Sequence, residues 1–355
     1  MLIRITFLLV LVPALAWANG KVGLILPFSG PVAEYGAAFR NGIELADRDH
    51  PKLLGGIEWI YEDSKYESAL AVSAFRKLVS ADGVDLAYVF GGPMSEAVAP
   101  LAESGRTPLL VSINEPKVAK GRKFVIRFSN PADDYGKLLV EWFRSRGIKR
   151  AAVVKVENQY INCMLDGLTR ALPADLNLEV ISAFQPGEMD FRSVVSRLKN
   201  NRYDAVGVYL LPGQISSFYK QAAQQSLKGS FFGADFLESI SEIGQSGEAI
   251  EGTVYPNNTV SEEFAARYLK EFGNDNQITW AGYGYDFAVT AAKALKVDGT
   301  TGSADALIAA LRSSQASKGI LGPAAFVSSS DDSYFRFPVV LKRISQGRIV
   351  EDRLG

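Results

Sequence analysis

The stretch "VGLILPFSGPVAEYGAAFRNGIELA", residues 22–46, decides how the chain is read. It joins a short apolar run to a turn rich in proline and glycine, and the turn opens into a pattern of helical period. A buried strand followed at once by a helix is the first half of a βαβ unit. The turn also carries Tyr35, a large ring with a polar tip where a plain connection would serve. In an open parallel sheet such a turn lies outside the carboxyl end of its strand, where ligands bind.

The pattern repeats outward from there. "IEWIYE" precedes a helical segment at 66–81, "VDLAYVFGG" precedes one at 95–104, and "TPLLVS" follows. After "FVIRFSNPADDYG" a second series begins. Its strand candidates "RAAVVKV", "LEVISAF", "YDAVGVYL" and "GSFFGAD" alternate with helical segments at 161–171, 191–200 and 215–225. Strands separated by helical stretches of this length make parallel sheets, so two α/β units in series are expected. Beyond "EGTVYPNN" come three helical segments, 262–272, 280–296 and 304–313. The tail reads as turns and short strands ending in a hairpin at Gln346-Gly347, an edge addition rather than a third domain. No internal repeat, low-complexity tract or long linker stands out.

Residues 1–18 combine an early Arg4, an apolar run and the small-x-small ending Ala16-Trp17-Ala18, the pattern of a secretory signal cleaved after Ala18. No cysteine stands directly after that site, so no lipid anchor is expected and the mature protein reads as exported and soluble. What remains exceeds the length one core usually organises, which favours two lobes. Lys and Arg number 38 against 39 Asp and Glu, a net charge of −1, and nothing in that balance attracts a nucleic acid. The single cysteine, Cys163, excludes an internal disulfide. Its helical surroundings make it a small buried hydrophobe rather than a reactive thiol.

Catalytic options narrow quickly. His50 is the only histidine, and it stands at a helix exit before Pro51, where exposure near the helix dipole is the expected role. No His/Cys spacing matches a metal site, and no glycine-rich loop has the Lys and Ser or Thr that cradle phosphate. Asp133-Asp134 and Asp331-Asp332 lie beside Pro or Ser and read as solvated turn acids. The chain is therefore read as non-enzymatic, with no cofactor and no metal.

Strand ends remain. Tyr35 follows the first strand, Ser95 the "AYVFGG" strand and Asn114 the "LLVS" strand. In the second unit Tyr160 follows "AVVKV" and Asp235 follows "SFFGA". All five fall where ligands bind in open sheets. Four of them also have a plainer role: Ser95 and Asp235 as helix N-caps, Tyr35 and Tyr160 as packing residues on the lobe surface.

Together these stretches resemble the type I periplasmic solute-binding proteins of the branched-chain amino acid transport family. The likeness rests on "SGPVAEYG", "YEDSKYESALAVSAFRKLVSADGVD", "VENQYINCMLDGL", "GEMDFRSVVSRLKNNRYDAV", "FFGAD" and "TWAGYGYDFAVTAAKAL". The resemblance implies an α/β fold of two Rossmann-like lobes joined by three crossings, near Asn130, Pro256 and Val340. Lobe 1 would take 19–130 and 257–340, and lobe 2 would take 131–256 and 341–355. It implies a monomer that holds an amino acid or amide-like solute between closing lobes and delivers it to an ABC transporter permease. By the same analogy Ser95 and its neighbouring N–H groups meet a carboxylate, while Asp235 and Tyr160 meet an ammonium. A sensor for a histidine kinase or chemoreceptor would share this architecture, and an enzyme on a doubly wound fold is the remaining alternative.

The chain departs from the family pattern at three places. The loop "INEPKVA" is short, so Asn114 replaces the usual threonine segment only approximately. Glu96 and Glu115 stand near the carboxylate end and are expected to face solvent. Leu210 and Leu211 replace a polar or aromatic wall.

Overall fold

The computed structural model describes residues 20–297, 303–314, 317–329 and 332–352. The expected leader and Asp331 lie outside the described residues. Five strands open the chain: β1 (Gly20–Leu26), β2 (Ile57–Asp63), β3 (Leu86–Phe90), β4 (Leu109–Ser112) and β5 (Val125–Arg127). Five more follow: β6 (Arg150–Val156), β7 (Asn177–Phe184), β8 (Ala205–Tyr209), β9 (Ser230–Gly233) and β10 (Val254–Asn257). The tail adds β11 (Ser317–Gly319), β12 (Gly322–Ser328), β13 (Ser333–Arg336), β14 (Val340–Ser345) and β15 (Arg348–Glu351).

These form two sheets, ordered β11-β12-β13-β5-β4-β3-β1-β2 and β15-β14-β10-β9-β8-β6-β7. Each half is doubly wound. β1 pairs in parallel with both β2 and β3, and β6 with both β7 and β8, so each sheet reverses strand order beside its first strand. Crevices at such reversals are where open sheets bind ligands. The tail strands extend the outer edges, and the last hairpin turns at Gln346 and Gly347, both at positive φ. Positive φ at both central residues is what a tight two-residue hairpin requires.

Alternation along the first sheet separates two apolar faces. Ile25, Val89 and Val111 point one way onto Phe75 and Val98, whereas Leu24, Tyr88 and Leu110 point the other way toward Phe39 and Phe287. Helix Ala33–Asp49 crosses helix Ile278–Val297 on that second face with its backbone almost touching. A Cβ on Gly42 would stand 1.9 Å from the Ala281 carbonyl oxygen, and one on Gly284 would stand 2.0 Å from that of Phe39. Only glycine permits that approach, and it fixes the depth at which Trp280 and Tyr283 enter the interior.

The chain passes from one sheet to the other after Arg127, after Asn257 and between Arg336 and Val340. Two asparagines tie the three passages together. The Asn130 amide donates to the Phe337 carbonyl (2.8 Å), and the Asn258 amide donates to the Pro338 carbonyl (2.6 Å) and lies 3.4 Å from Asn130 Oδ1.

Several local expectations are corrected. The helix expected at 66–81 is Ser68–Lys77, extended by one wider turn, Leu78–Asp82, while Tyr66 stays outside it at φ 62°. The aspartates read as solvated turn acids are paired: Asp133 with Arg170 (2.8 Å), Asp134 with Arg336 (2.8 Å), and Asp332 with the fully buried Arg127 (2.9 Å). A charge with no exposure needs such a partner. His50 is half-buried, with Nε2 3.1 Å from the Tyr285 hydroxyl, because helix Ile278–Val297 packs over the helix exit.

Candidate functional site

A cavity of about 490 Å³ opens between the two sheets at the carboxyl ends of their strands. Turns after β1, β2, β3 and β4 bring Tyr35, Tyr66, Gly91-Gly92 and Asn114 to it from one side. Turns after β6 and β9 bring Asn158, Tyr160, Asp235 and Phe236 from the other, and helix Ile278–Val297 supplies Trp280 and Tyr283.

Asp235 carries the chemistry. The Tyr160 hydroxyl donates to its Oδ1. Burial pushes the carboxyl up to about 6; the Tyr160 bond opposes this, the Glu238 charge adds to it, and Lys342 opposes it. A carboxylate so desolvated and so sparsely bonded is unstable as an anion until a cation or donor reaches it. Glu238 is satisfied by contrast. Its two oxygens accept from Lys342 Nζ (3.0 and 2.9 Å), from the Thr279 hydroxyl (2.6 Å) and from the Asn257 amide (2.6 Å), all buried.

Tyrosines surround the acid. Burial raises Tyr66 to about 12 and lifts Tyr35 and Tyr160 well above the ordinary tyrosine value, with the Asp235 charge pushing the same way. These hydroxyls keep their protons and act as donors. The Tyr35 hydroxyl is buried with no partner in the protein, although its residue lines the cavity. An orphaned buried hydroxyl carries a desolvation cost of about 1–3 kcal/mol that a ligand oxygen or nitrogen would relieve. Tyr135 and Tyr283 both donate to Asn258 Oδ1 (3.0 and 2.6 Å), which connects the cavity wall to the asparagine tie between the lobes.

Of the five residues expected here, Tyr35, Asn114, Tyr160 and Asp235 line the cavity and Ser95 does not. Helix Gly92–Gly105 begins three residues before Ser95, with Gly91 as its cap, so the capping role expected of Ser95 is also absent. Its hydroxyl instead donates to the Gly91 carbonyl (2.7 Å) and is fully buried. Asp235 caps nothing by its side chain. Glu96 pairs with Lys117 (3.3 Å), but Glu115, expected in solvent, lines the cavity because the short turn Pro116–Val118 folds back toward it. Leu210 and Leu211 are not among the lining residues. Cys163 is buried as expected, and burial lifts its thiol to about 12. Among the described residues no group of His, Cys, Asp and Glu could hold a metal ion.

The sequence reading does not single out Tyr66, Phe90, Tyr135, Phe236, Trp280 or Tyr283, all of which line the cavity. One signal was available for Tyr135: "NPADDYG", residues 130–136, repeats the spacing of "GPVAEYG", residues 30–36, with Pro four positions before Tyr-Gly. Both tyrosines fall in the first turn of a helix and point into the cavity.

The family model for periplasmic binding proteins matches residues 20–340. The chain is 28% identical over 257 residues to the Leu/Ile/Val-binding protein BraC3 of Rhizobium johnstonii, covering 68% of each. It is 27% identical over 248 residues to the Leu/Ile/Val-binding protein of Escherichia coli K12, covering 65% of each. In structure it matches the leucine-binding protein LivK of Thermotoga maritima with a TM-score of 0.83 at 22% identity, over 94% of this chain and 98% of that one. An ABC transporter solute-binding protein from R. palustris, in complex with benzoate, gives 0.80 at 21% identity, over 93% and 94%. At such identities the structural likeness carries the fold alone. With the family model spanning nearly all of the described chain, and two sheets closing on one cavity, the chain belongs to the periplasmic binding protein family, alongside the Leu/Ile/Val-binding proteins.

Proposed function

We propose that this protein is the solute-binding component of an ABC importer and that it captures a small solute bearing a protonated amine, an amino acid or a relative of one. Asp235 is the observation that supports this: an acid in the cavity, bonded to the Tyr160 hydroxyl and raised by burial to about 6. An ammonium would restore the solvation the anion has lost, and charge-assisted bonds in a closed cleft are short and strong. Tyr35 and Tyr160 close on the solute from opposite lobes, and Asn114 borders it. Lobe 1 comprises 19–130 and 257–340, lobe 2 comprises 131–256 and 341–355, and the passages at Asn130, Asn257 and Val340 form the hinge. The protein works as a periplasmic monomer, freed of residues 1–18, and presents its closed form to the permease.

The test is titration calorimetry of the purified mature chain with amine-bearing solutes, repeated on Asp235→Asn. Loss of binding in the variant, with the fold intact by circular dichroism, supports the reading. Equal affinity in both proteins removes it.

A further inference from the structure

The rest of the cavity says what kind of amine this is, and the inference rests on the amine reading above. Three side-chain donors at the first-sheet strand ends, where a ligand carboxylate would sit, are turned to the protein. The Ser95 hydroxyl donates to the Gly91 carbonyl (2.7 Å), the Ser129 hydroxyl to that of Ile113 (2.6 Å), and the Asn114 amide to that of Asn130 (2.8 Å). Lys117, the one cation among the lining residues, stands 3.3 Å from Glu96. Pro93, in the first turn of helix Gly92–Gly105, removes one of the backbone donors that a helix N-terminus otherwise offers an anion.

Charge runs the same way. Glu115, Glu157, Asp166 and Asp235 line the cavity, and each repels a second carboxylate. Glu157 has a cation at hand, Lys155 at 3.1 Å, but that pairing leaves the excess of acids over cations in place.

Around Asp235 the wall is aromatic. Tyr160 packs on Phe236 (ring centroids 5.3 Å apart), Phe236 on Tyr35 (6.2 Å), and Tyr35 on both Phe90 (5.8 Å) and Trp280 (6.0 Å). Phe90 and Trp280 close the set at 4.7 Å. Continuous rings beside one acid suit a cation with an apolar body, since ring faces attract positive charge and Trp does so most strongly. We infer that the ligand is a carboxylate-free organic amine with an aromatic or branched apolar body, its ammonium on Asp235 and its body against Trp280, Phe90 and Tyr35.

Matched pairs test this on the mature protein by titration calorimetry: phenethylamine against L-phenylalanine, 3-methylbutylamine against L-leucine, and 3-phenylpropanoate as the acid without an amine. At least one amine is expected to bind about tenfold tighter than its amino acid, a difference of about 1.4 kcal/mol. Trp280→Ala is expected to weaken that amine by about tenfold while Trp280→Phe stays within about threefold, because a ring face remains. Amino acids binding tighter than their amines, with binding lost in Asp235→Asn, overturn this inference and leave the amine reading standing. Tightest binding of 3-phenylpropanoate overturns both. Absence of heat with both amines at millimolar concentration also overturns the inference, whether or not Trp280→Ala folds.

Discussion

Asp235 makes opposite demands on the free and the liganded protein, and pH separates them. Burial raises its carboxyl from the usual 3.8 to about 6, so the free native state holds a proton there that the unfolded chain has already released. Between about pH 4 and 6 the folded form therefore binds more protons, and its stability from this group falls as pH rises. That rise from 3.8 to about 6 corresponds to about 3 kcal/mol lost by pH 7. Asp235→Asn removes the ionisation, so the free variant is expected to be up to about 3 kcal/mol more stable at pH 7, a gain of roughly 4 °C in melting temperature for a chain of this length. The same variant is expected to bind an amine about 2–5 kcal/mol more weakly, the cost of truncating one side of a desolvated pair. In the parent protein amine binding needs the anion. With the carboxyl half-protonated near pH 6, affinity is expected to drop about tenfold between pH 7.5 and 5, and the drop should vanish in the variant. Calorimetry at pH 5, 6, 7 and 8, alongside differential scanning calorimetry of the free proteins, measures both sides. Affinity independent of pH across that range, or an Asp235→Asn protein less stable than its parent at pH 7, would rule out a buried, amine-seeking carboxylate at Asp235.

Other positions give separate tests. Lys342→Met strands the Glu238 carboxylate between the Thr279 hydroxyl and the Asn257 amide, and denaturant unfolding is expected to show a loss of about 3–5 kcal/mol, partly recovered when Glu238→Gln is added. Gly284→Ala drives a methyl group to 2.0 Å from the Phe39 carbonyl oxygen and should leave little soluble folded protein, whereas Gly244→Ala, with open space around it, should express normally. Ser95→Ala removes one buried bond to Gly91, so unfolding should show about 1 kcal/mol lost while solute affinity stays within about twofold; a large loss of affinity would put Ser95 back in the site.

The connection between cavity and hinge has a simple physical basis. Asn258 accepts from Tyr135 and Tyr283 through its oxygen and holds the Pro338 carbonyl through its nitrogen. A solute pressing on either ring therefore acts on the atoms that join the three passages. Neither asparagine stands out in the chain, because "SNP" and "PNNT" read as ordinary turn chemistry and their partners lie about 80 to 200 residues away.

Local order was legible from the residues alone. The period of each apolar run distinguished strand from helix, the turn residues punctuated them, and helix Glu262–Phe272 lies where its periodicity put it. Placement of Tyr35, Tyr160, Asn114 and Asp235 at strand ends followed from the same grammar, since a βαβ unit dictates which end of the sheet its turns occupy. Residue order therefore specified the two α/β units and the edge to which their turns belong. Packing in three dimensions set what those turns do there. Ser95 lost its place because the helix starts at Gly92 and the hydroxyl turns back to the backbone. Trp280 and Tyr283 gained theirs because Gly42 and Gly284 let two helices touch, and Asp235 became an acid near 6 because distant segments shut it away from water. Desolvation and contact depend on what surrounds a group in space, and residue order along the chain does not encode that locally.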